Sequence, residues 1–353
     1  MSKARSHIPS LDGLRTFSFA IVFIAHVGLG DRVPGGFGVT VFFFLSGFLI
    51  TTLMRLEHSE KGHVSLRNFY IRRVLRILPP FYLVLATATA LTLSGVLPGQ
   101  IEARAVLAQA LHYANYWIVA HGGAGVAPGT GVFWSLAVEE HFYLLFPLLY
   151  LSLQRLRASR FQQALALLSL CGAILIWRCI LVFVLHSSED RTYVASDARF
   201  DSILFGCILA VYGNPVLDGT RKSDTFWKYV LLPLALIALL LSFVIRTPSF
   251  RETFRYSLQG LALVPVFVCA VRFPEWGPMR VLNYRPIAFL GVLSYSLYLV
   301  HHVVSVAVTV HLGQTLGPVL SALVTLTISL VLAWLIHIGI EKPCARLRKR
   351  FSA

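Results

Sequence analysis

The stretch Ser10-Leu11-Asp12-Gly13-Leu14-Arg15-Thr16-Phe17-Ser18-Phe19-Ala20-Ile21-Val22-Phe23-Ile24-Ala25-His26 opens the first long apolar run and holds an arginine and a histidine eleven positions apart. Eleven residues make about three helical turns, so a straight helix puts both side chains on one face, about 16 Å apart along the axis. That separation is about half the thickness of a bilayer's hydrocarbon core. Ionisable groups inside such a helix are expensive, and the expectation they raise is functional.

Outward from this stretch the composition agrees. The chain has 353 residues, 56% of them hydrophobic and 13% charged, with a mean hydropathy of +0.71. Ordinary soluble domains carry about 25% charged residues. The expected fold is an all-α, polytopic integral membrane protein in the lipid bilayer. The net charge of +15 falls between apolar runs, as the positive-inside rule requires, and this argues against nucleic acid as the partner. Lys3 and Arg5 imitate a signal peptide, but no small-residue cleavage pattern follows, so the first helix is expected to be retained. The five cysteines form no C-x-x-C pair, and neither a disulfide framework nor a metal site is signalled.

The apolar runs fit spans at 14–30, 37–54, 78–97, 132–153, 162–185, 198–213, 227–245, 256–271, 287–310 and 315–340. A loop, Asp31 to Gly36, joins the first two, and a basic segment, 55–77, precedes the third. Placing the basic connections and both termini in the cytoplasm requires that 101–120 does not cross, which gives about ten transmembrane helices. Residues 246–255, with Arg246, Arg251 and Arg255, are the one outer loop that offends the charge rule. A single domain over 1–353 is expected, with a short basic cytoplasmic tail at 342–353 and no appended soluble domain.

On this topology His26, the pair Glu139 and Glu140, Asp201 and the pair His301 and His302 reach a common depth from four helices. His26 is the candidate general base, because a neutral imidazole takes a proton near neutral pH; the plainer reading is a histidine hydrogen-bonded inside the bundle. Glu139 shares a helix face with Ser135, and Glu140 points about 100° away. One carboxylate is placed to orient His26, the other to pair with a basic group. Pro147 favours a kink in this helix. Arg199 and Asp201, two apart, each need a partner elsewhere, either for structure or for substrate. Ser294, Tyr298 and His301 form a stripe that either lines a cavity or bonds helices together. Ser46 reads as structural, with Gly47 allowing close helix approach. Residues 65–78 read as an amphipathic helix on the inner surface, its Arg72 and Arg76 either anchoring anionic lipid or, with Arg15, holding the phosphates of a cytosolic donor.

Seven pieces taken in order then carry a resemblance: Ser10-Leu-Asp-Gly-Leu-Arg15 with His26; Gly38-Val-Thr-Val-Phe-Phe-Phe-Leu-Ser-Gly-Phe-Leu-Ile50; Arg72-Arg-Val-Leu-Arg-Ile-Leu-Pro79; Phe133-Trp-Ser-Leu-Ala-Val-Glu-Glu-His-Phe-Tyr143; Arg199-Phe-Asp201; Leu293-Ser-Tyr-Ser-Leu-Tyr-Leu-Val-His301; and Ile340-Glu-Lys-Pro343. The chain resembles the membrane-bound acyltransferase-3 family, bacterial enzymes that O-acylate glycans and other acceptors. The resemblance implies an O-acyltransferase of the bacterial inner membrane. It implies an acyl-CoA donor, acetyl-CoA foremost, no permanently bound cofactor, and a hydroxyl of a cell-envelope or exported glycan as acceptor. It makes His26 catalytic and Arg15, Arg73 and Arg76 donor-binding; from their placement in the chain, Glu139 and Glu140 are expected to join His26 in catalysis and Arg72 to join the donor-binding arginines. Trp134, Ser135, Arg199, Asp201, Tyr298 and His301 are left to the acceptor or the cavity wall. Thr40 stands where the family commonly has an acidic residue and His141 where it has Gln, departures that bear on acceptor choice. The rival reading is a proton-coupled transporter or flippase of a lipid-linked saccharide, with the same buried groups as a relay.

Overall fold

The computed structural model describes residues 8–30, 32–219 and 223–351. Lys3, Arg5, Asp31 and the last two residues of the tail lie outside the described residues. Every regular element among those described is helical: α1 Pro9–Ile24, α2 Gly35–Lys61, α3 Leu66–Leu93, α4 Ala103–Ala110, α5 Ala114–His121, α6 Trp134–Arg155, α7 Arg160–Phe183, α8 Ser196–Val211, α9 Leu232–Val244, α10 Phe254–Arg272, α11 Arg285–Leu312, α12 Pro318–Ile336 and α13 Lys342–Lys349, joined by shorter helical turns.

Nine helical stretches among the described residues are long and apolar enough to cross a membrane. The segment expected to make a tenth, 198–213, becomes α8, whose 16 residues span about 24 Å against a hydrocarbon core of about 30 Å. It is nonetheless buried along most of its length. The doubtful region 101–120 folds as α4 and α5, eight residues each and about 12 Å long, broken where His112 takes a left-handed φ of 56°. Neither helix is among the nine.

The expected surface helix 65–78 and third span prove to be one helix. α3 starts at Ser65, whose Oγ accepts from the Asn68 N–H at 3.3 Å, and runs through Pro79 and Pro80 without interruption. The Tyr295 hydroxyl donates to the Ile77 carbonyl beside the prolines, at 2.7 Å. Twenty-eight residues reach about 42 Å, longer than the hydrocarbon core, so one helix serves both purposes. Likewise α6 continues through Pro147.

The chain divides into two compact units, each built from three separate stretches. The first holds Met1–Ala20, Gly36–Gly62 and Leu144–Val292. Its helices meet backbone to backbone: a Cβ on Gly47 would stand 2.0 Å from the Ile203 carbonyl oxygen, and one on Gly206 2.0 Å from that of Phe44. This is the small-residue contact that membrane helices use to pack closely. The second unit holds Ile21–Gly35, His63–Tyr143 and Leu293–Ala353. Within it α3, α11 and α12 border a cavity of about 680 Å³, lined by aliphatic side chains such as Leu83, Leu91, Val304, Leu332 and Ile336. Such a lining suits hydrocarbon rather than acid–base chemistry.

Candidate active site

The second unit gathers most of the ionisable side chains that the sequence singles out. His26 lies in a widened turn, Ala25–Leu29, that follows α1. Val27 (φ −98°, ψ 29°) and Gly28 (φ 100°, ψ 7°) leave helical values there, just beyond His26. The φ of Gly28 is one that glycine adopts without steric penalty.

Two histidines of α11 meet this turn. His26 Nδ1 is 2.9 Å from His301 Nε2, with ring centroids 5.1 Å apart at 27°. His302 stacks on His26 at 4.5 Å and 17°, and its ring is hydrogen-bonded to the backbone of Gly129. His301 is fully buried, and its Nδ1 lies 2.8 Å from the Tyr298 carbonyl and 3.2 Å from that of Leu297.

These contacts assign the protons of the neutral rings. A carbonyl oxygen only accepts, so His301 Nδ1 carries the hydrogen and its Nε2 offers a lone pair. The hydrogen in the 2.9 Å contact therefore sits on His26 Nδ1. His26 Nε2 is then the ring nitrogen with a bare lone pair, the form a general base needs.

The carboxylates of α6 lie elsewhere in the unit. Glu139 accepts from the Tyr143 hydroxyl at 2.8 Å. Glu140 is within electrostatic range of Arg73 and of Glu139. Arg73 sits over the Tyr143 ring at 5.2 Å and the Phe69 ring at 5.5 Å, so this arginine of the basic segment turns toward carboxylates and aromatic faces. Arg72 donates to the Phe351 carbonyl at 2.8 Å, which ties the C-terminal segment to α3. Arg72 and Arg76 are joined there by Arg348 of α13, with Glu341 as the nearby opposite charge. Glu341 accepts from the Ser296 hydroxyl at 2.6 Å and meets His337 Nδ1 at 2.6 Å.

Ser135 and Tyr298 also meet: their hydroxyls are 2.7 Å apart, and the Tyr298 hydroxyl donates to the Val132 carbonyl at 3.0 Å. Tyr298 precedes His301 by one turn, with ring centroids 5.6 Å apart. Trp134 is buried at the start of α6.

The remaining residues belong to the first unit. Arg15 pairs with Asp12. Asp201 accepts from Arg178 Nη2 at 2.7 Å and from the Ser257 hydroxyl at 2.9 Å. Arg199 donates to the Tyr193 carbonyl at 2.9 Å and to Thr40 Oγ1 at 3.2 Å, and lies 4.0 Å from the Tyr256 ring centroid. Arg178, Arg199 and Asp201 are all fully buried. Thr40 thus has a structural partner in Arg199; in the second unit the ring centroids of His141 and Tyr116 lie 6.0 Å apart.

Sequence reasoning passed over Arg178, whose signal was a lone arginine inside a long apolar run. It passed over Glu341 too, although the Ile340-Glu-Lys-Pro343 piece contained it. His302 was counted among the polar groups at a common depth, and its stacking on His26 had no sequence signal.

Apolar helices of spanning length that hold histidines, arginines and carboxylates within their packing define a multi-pass membrane protein with polar chemistry in its interior. The chain belongs to the acyltransferase-3 family, whose acyltransferase-domain model matches residues 8–338. The O-acetyltransferase OatA of Staphylococcus aureus strain NCTC 8325 is 28% identical over 362 residues, covering 98% of this chain and 58% of its own. A second S. aureus protein, from strain COL and named "Putative O-acetyltransferase", is 27% identical over 352 residues, 97% of this chain and 58% of its own. This chain therefore spans under two thirds of the length of these relatives. No solved structure matches it.

Proposed function

We propose that this chain transfers an acyl group, acetyl foremost, from cytosolic acyl-CoA to a hydroxyl of a cell-envelope or exported glycan. The setting is a bacterial inner membrane, crossed about ten times with both termini in the cytoplasm. The observation that carries the reading is the 2.9 Å contact of His26 Nδ1 with His301 Nε2, from which the bare lone pair on His26 Nε2 follows. Family membership and the names of the relatives agree with it.

In this reading the acceptor hydroxyl gives its proton to His26 Nε2 while its oxygen attacks the thioester carbonyl. The carbon–sulfur bond breaks as the tetrahedral intermediate collapses, and the departing CoA sulfur takes up the proton. Arg72 and Arg76 bind the donor phosphates by charge-assisted hydrogen bonds. Arg73 supports that face through Glu140 and Tyr143. Ser135, Trp134 and Tyr298 border the acceptor side.

The test is the O-acyl content of envelope glycans by mass spectrometry, with wild type and His26→Ala expressed equally. One acyl increment per site with wild type and none with the variant is expected. A full ester level with His26→Ala removes the base. Glycans free of ester but redistributed across the membrane favour the transporter instead.

A further inference from the structure

We infer that His301 is the positioning residue of the base: it holds His26 in the Nδ1–H tautomer and accepts the hydrogen bond of the imidazolium that forms. The inference rests on the reading of His26 as base and adds the partner that makes it one.

Many hydrolytic bases are oriented by a carboxylate, which accepts from Nδ1–H and stabilises the protonated ring. The sequence offers Glu139 and Glu140 for that place. In the structure those groups are engaged by Tyr143 and Arg73, and the contact to His26 Nδ1 is made by a second imidazole. His301 can only accept there, because its other nitrogen is committed to the carbonyls of Tyr298 and Leu297 one turn back on α11. The proton order is therefore set by backbone geometry: carbonyl, His301 Nδ1–H, His301 Nε2, His26 Nδ1–H, His26 Nε2. A flip of the His301 ring breaks its bonds to His26 and to the backbone together, and a flip of His26 breaks its bond to His301; each buried polar group left unmade is costly.

The surroundings of His26 keep this order. His302 stacks on the ring without occupying either of its nitrogens. Of the other helices packed on the Ala25–Leu29 turn, α12, Pro318–Ile336, contains no titratable side chain, and α2 meets the turn through Gly35 against Ala25. Thus the titratable groups facing His26 among the described residues are His301 and His302. When Nε2 takes the acceptor's proton, both ring nitrogens of His26 carry hydrogens, and the Nδ1–H bond to His301 becomes charge-assisted at the moment charge develops. His301 stays neutral and moves no proton.

Glutamine reproduces both functions of His301, since its amide nitrogen donates and its amide oxygen accepts; leucine reproduces neither. Membrane vesicles carrying equal amounts of wild type, His26→Ala, His301→Leu or His301→Gln are given labelled acetyl-CoA, and label in ester linkage to endogenous glycan is followed against donor concentration. His301→Leu is expected to lower kcat about 100-fold, the scale of general-base catalysis, with the KM for acetyl-CoA within about twofold. His301→Gln is expected to restore at least a tenth of the wild-type kcat. A His301→Leu enzyme that matches wild type overturns the inference and leaves His26 as base if His26→Ala is inactive. So does a His301→Gln enzyme as inactive as His301→Leu while folded by gel filtration, because the role would then not be acceptance of a hydrogen bond. An active His26→Ala removes the parent reading and this one with it.

Discussion

Removing the Asp201 carboxylate tests whether that residue serves the fold or the acceptor. Arg178 is fully buried, and its guanidinium is met on every side: Nη2 by Asp201 and Ser257, each at 2.7 Å, Nη1 by the Ala198 carbonyl at 2.7 Å, and Nε by the Thr253 carbonyl at 3.0 Å. Asp201→Ala leaves that cation without its counter-charge, a loss of about 3–5 kcal/mol. At about 2 °C per kcal/mol for a chain of this size, the melting midpoint falls by about 6–10 °C. Asp201→Ala combined with Arg178→Leu removes the stranded charge, and such double replacements are often neutral. Here the carbonyls of Ala198 and Thr253 also lose donors, at about 1 kcal/mol each, so the double variant recovers about half of the loss. Intrinsic tryptophan fluorescence of detergent-solubilised protein reads the midpoints, and the vesicle label reads activity. A single variant that melts within 2 °C of wild type refutes the energetic argument. A double variant that is stable yet transfers nothing places Asp201 in the chemistry after all.

Gly206→Ala is expected to cost about 1–3 kcal/mol, because the new methyl carbon would lie 2.0 Å from the Phe44 carbonyl and 2.8 Å from the Phe48 nitrogen, both backbone atoms that cannot turn aside. A lowered midpoint in the same fluorescence assay checks it. His112, in the turn between α4 and α5, is pushed down to about 4 from its ordinary 6.5 by burial and by the nearby His141. The unfolded chain then binds a proton there between those values while the folded one does not, so this contribution to stability is complete above pH 6.5 and is lost as pH falls toward 4. Amide hydrogen exchange across 103–121 should speed up over that window in wild type and much less in His112→Gln; equal pH dependence in the two would be the contrary result.

The helical class and most of the spanning helices were written in the apolar runs, since spanning length is a property of the chain itself. The departures have one cause. Pro79 and Pro80 look like a boundary in sequence, yet α3 passes through them. The expected span 198–213 does become a helix, α8, 16 residues long and buried along most of its length, because apolar character serves burial against protein as well as it serves lipid. The site divides the same way. His26, the arginines and the carboxylates were visible as polar residues in apolar surroundings, but their partners come from positions far away in sequence. His301 lies 275 residues from His26, and Arg178 lies 23 from Asp201 on another helix. Periodicity places a side chain on a face of its own helix and is silent on what that face will meet.

The glycines of this chain are held to their identity in two different ways, and lineages drifting apart would record the difference. Gly47 and Gly206 are confined by their neighbours' backbones, so replacement there is filtered by volume. Gly28 has nothing within 4 Å of where a side chain would begin; what confines it is a φ of 100°. Replacement at position 28 is filtered by backbone preference, so asparagine is a milder change than the smaller alanine. The histidine two residues earlier thus owes its aim to a turn that is open to size and closed to shape.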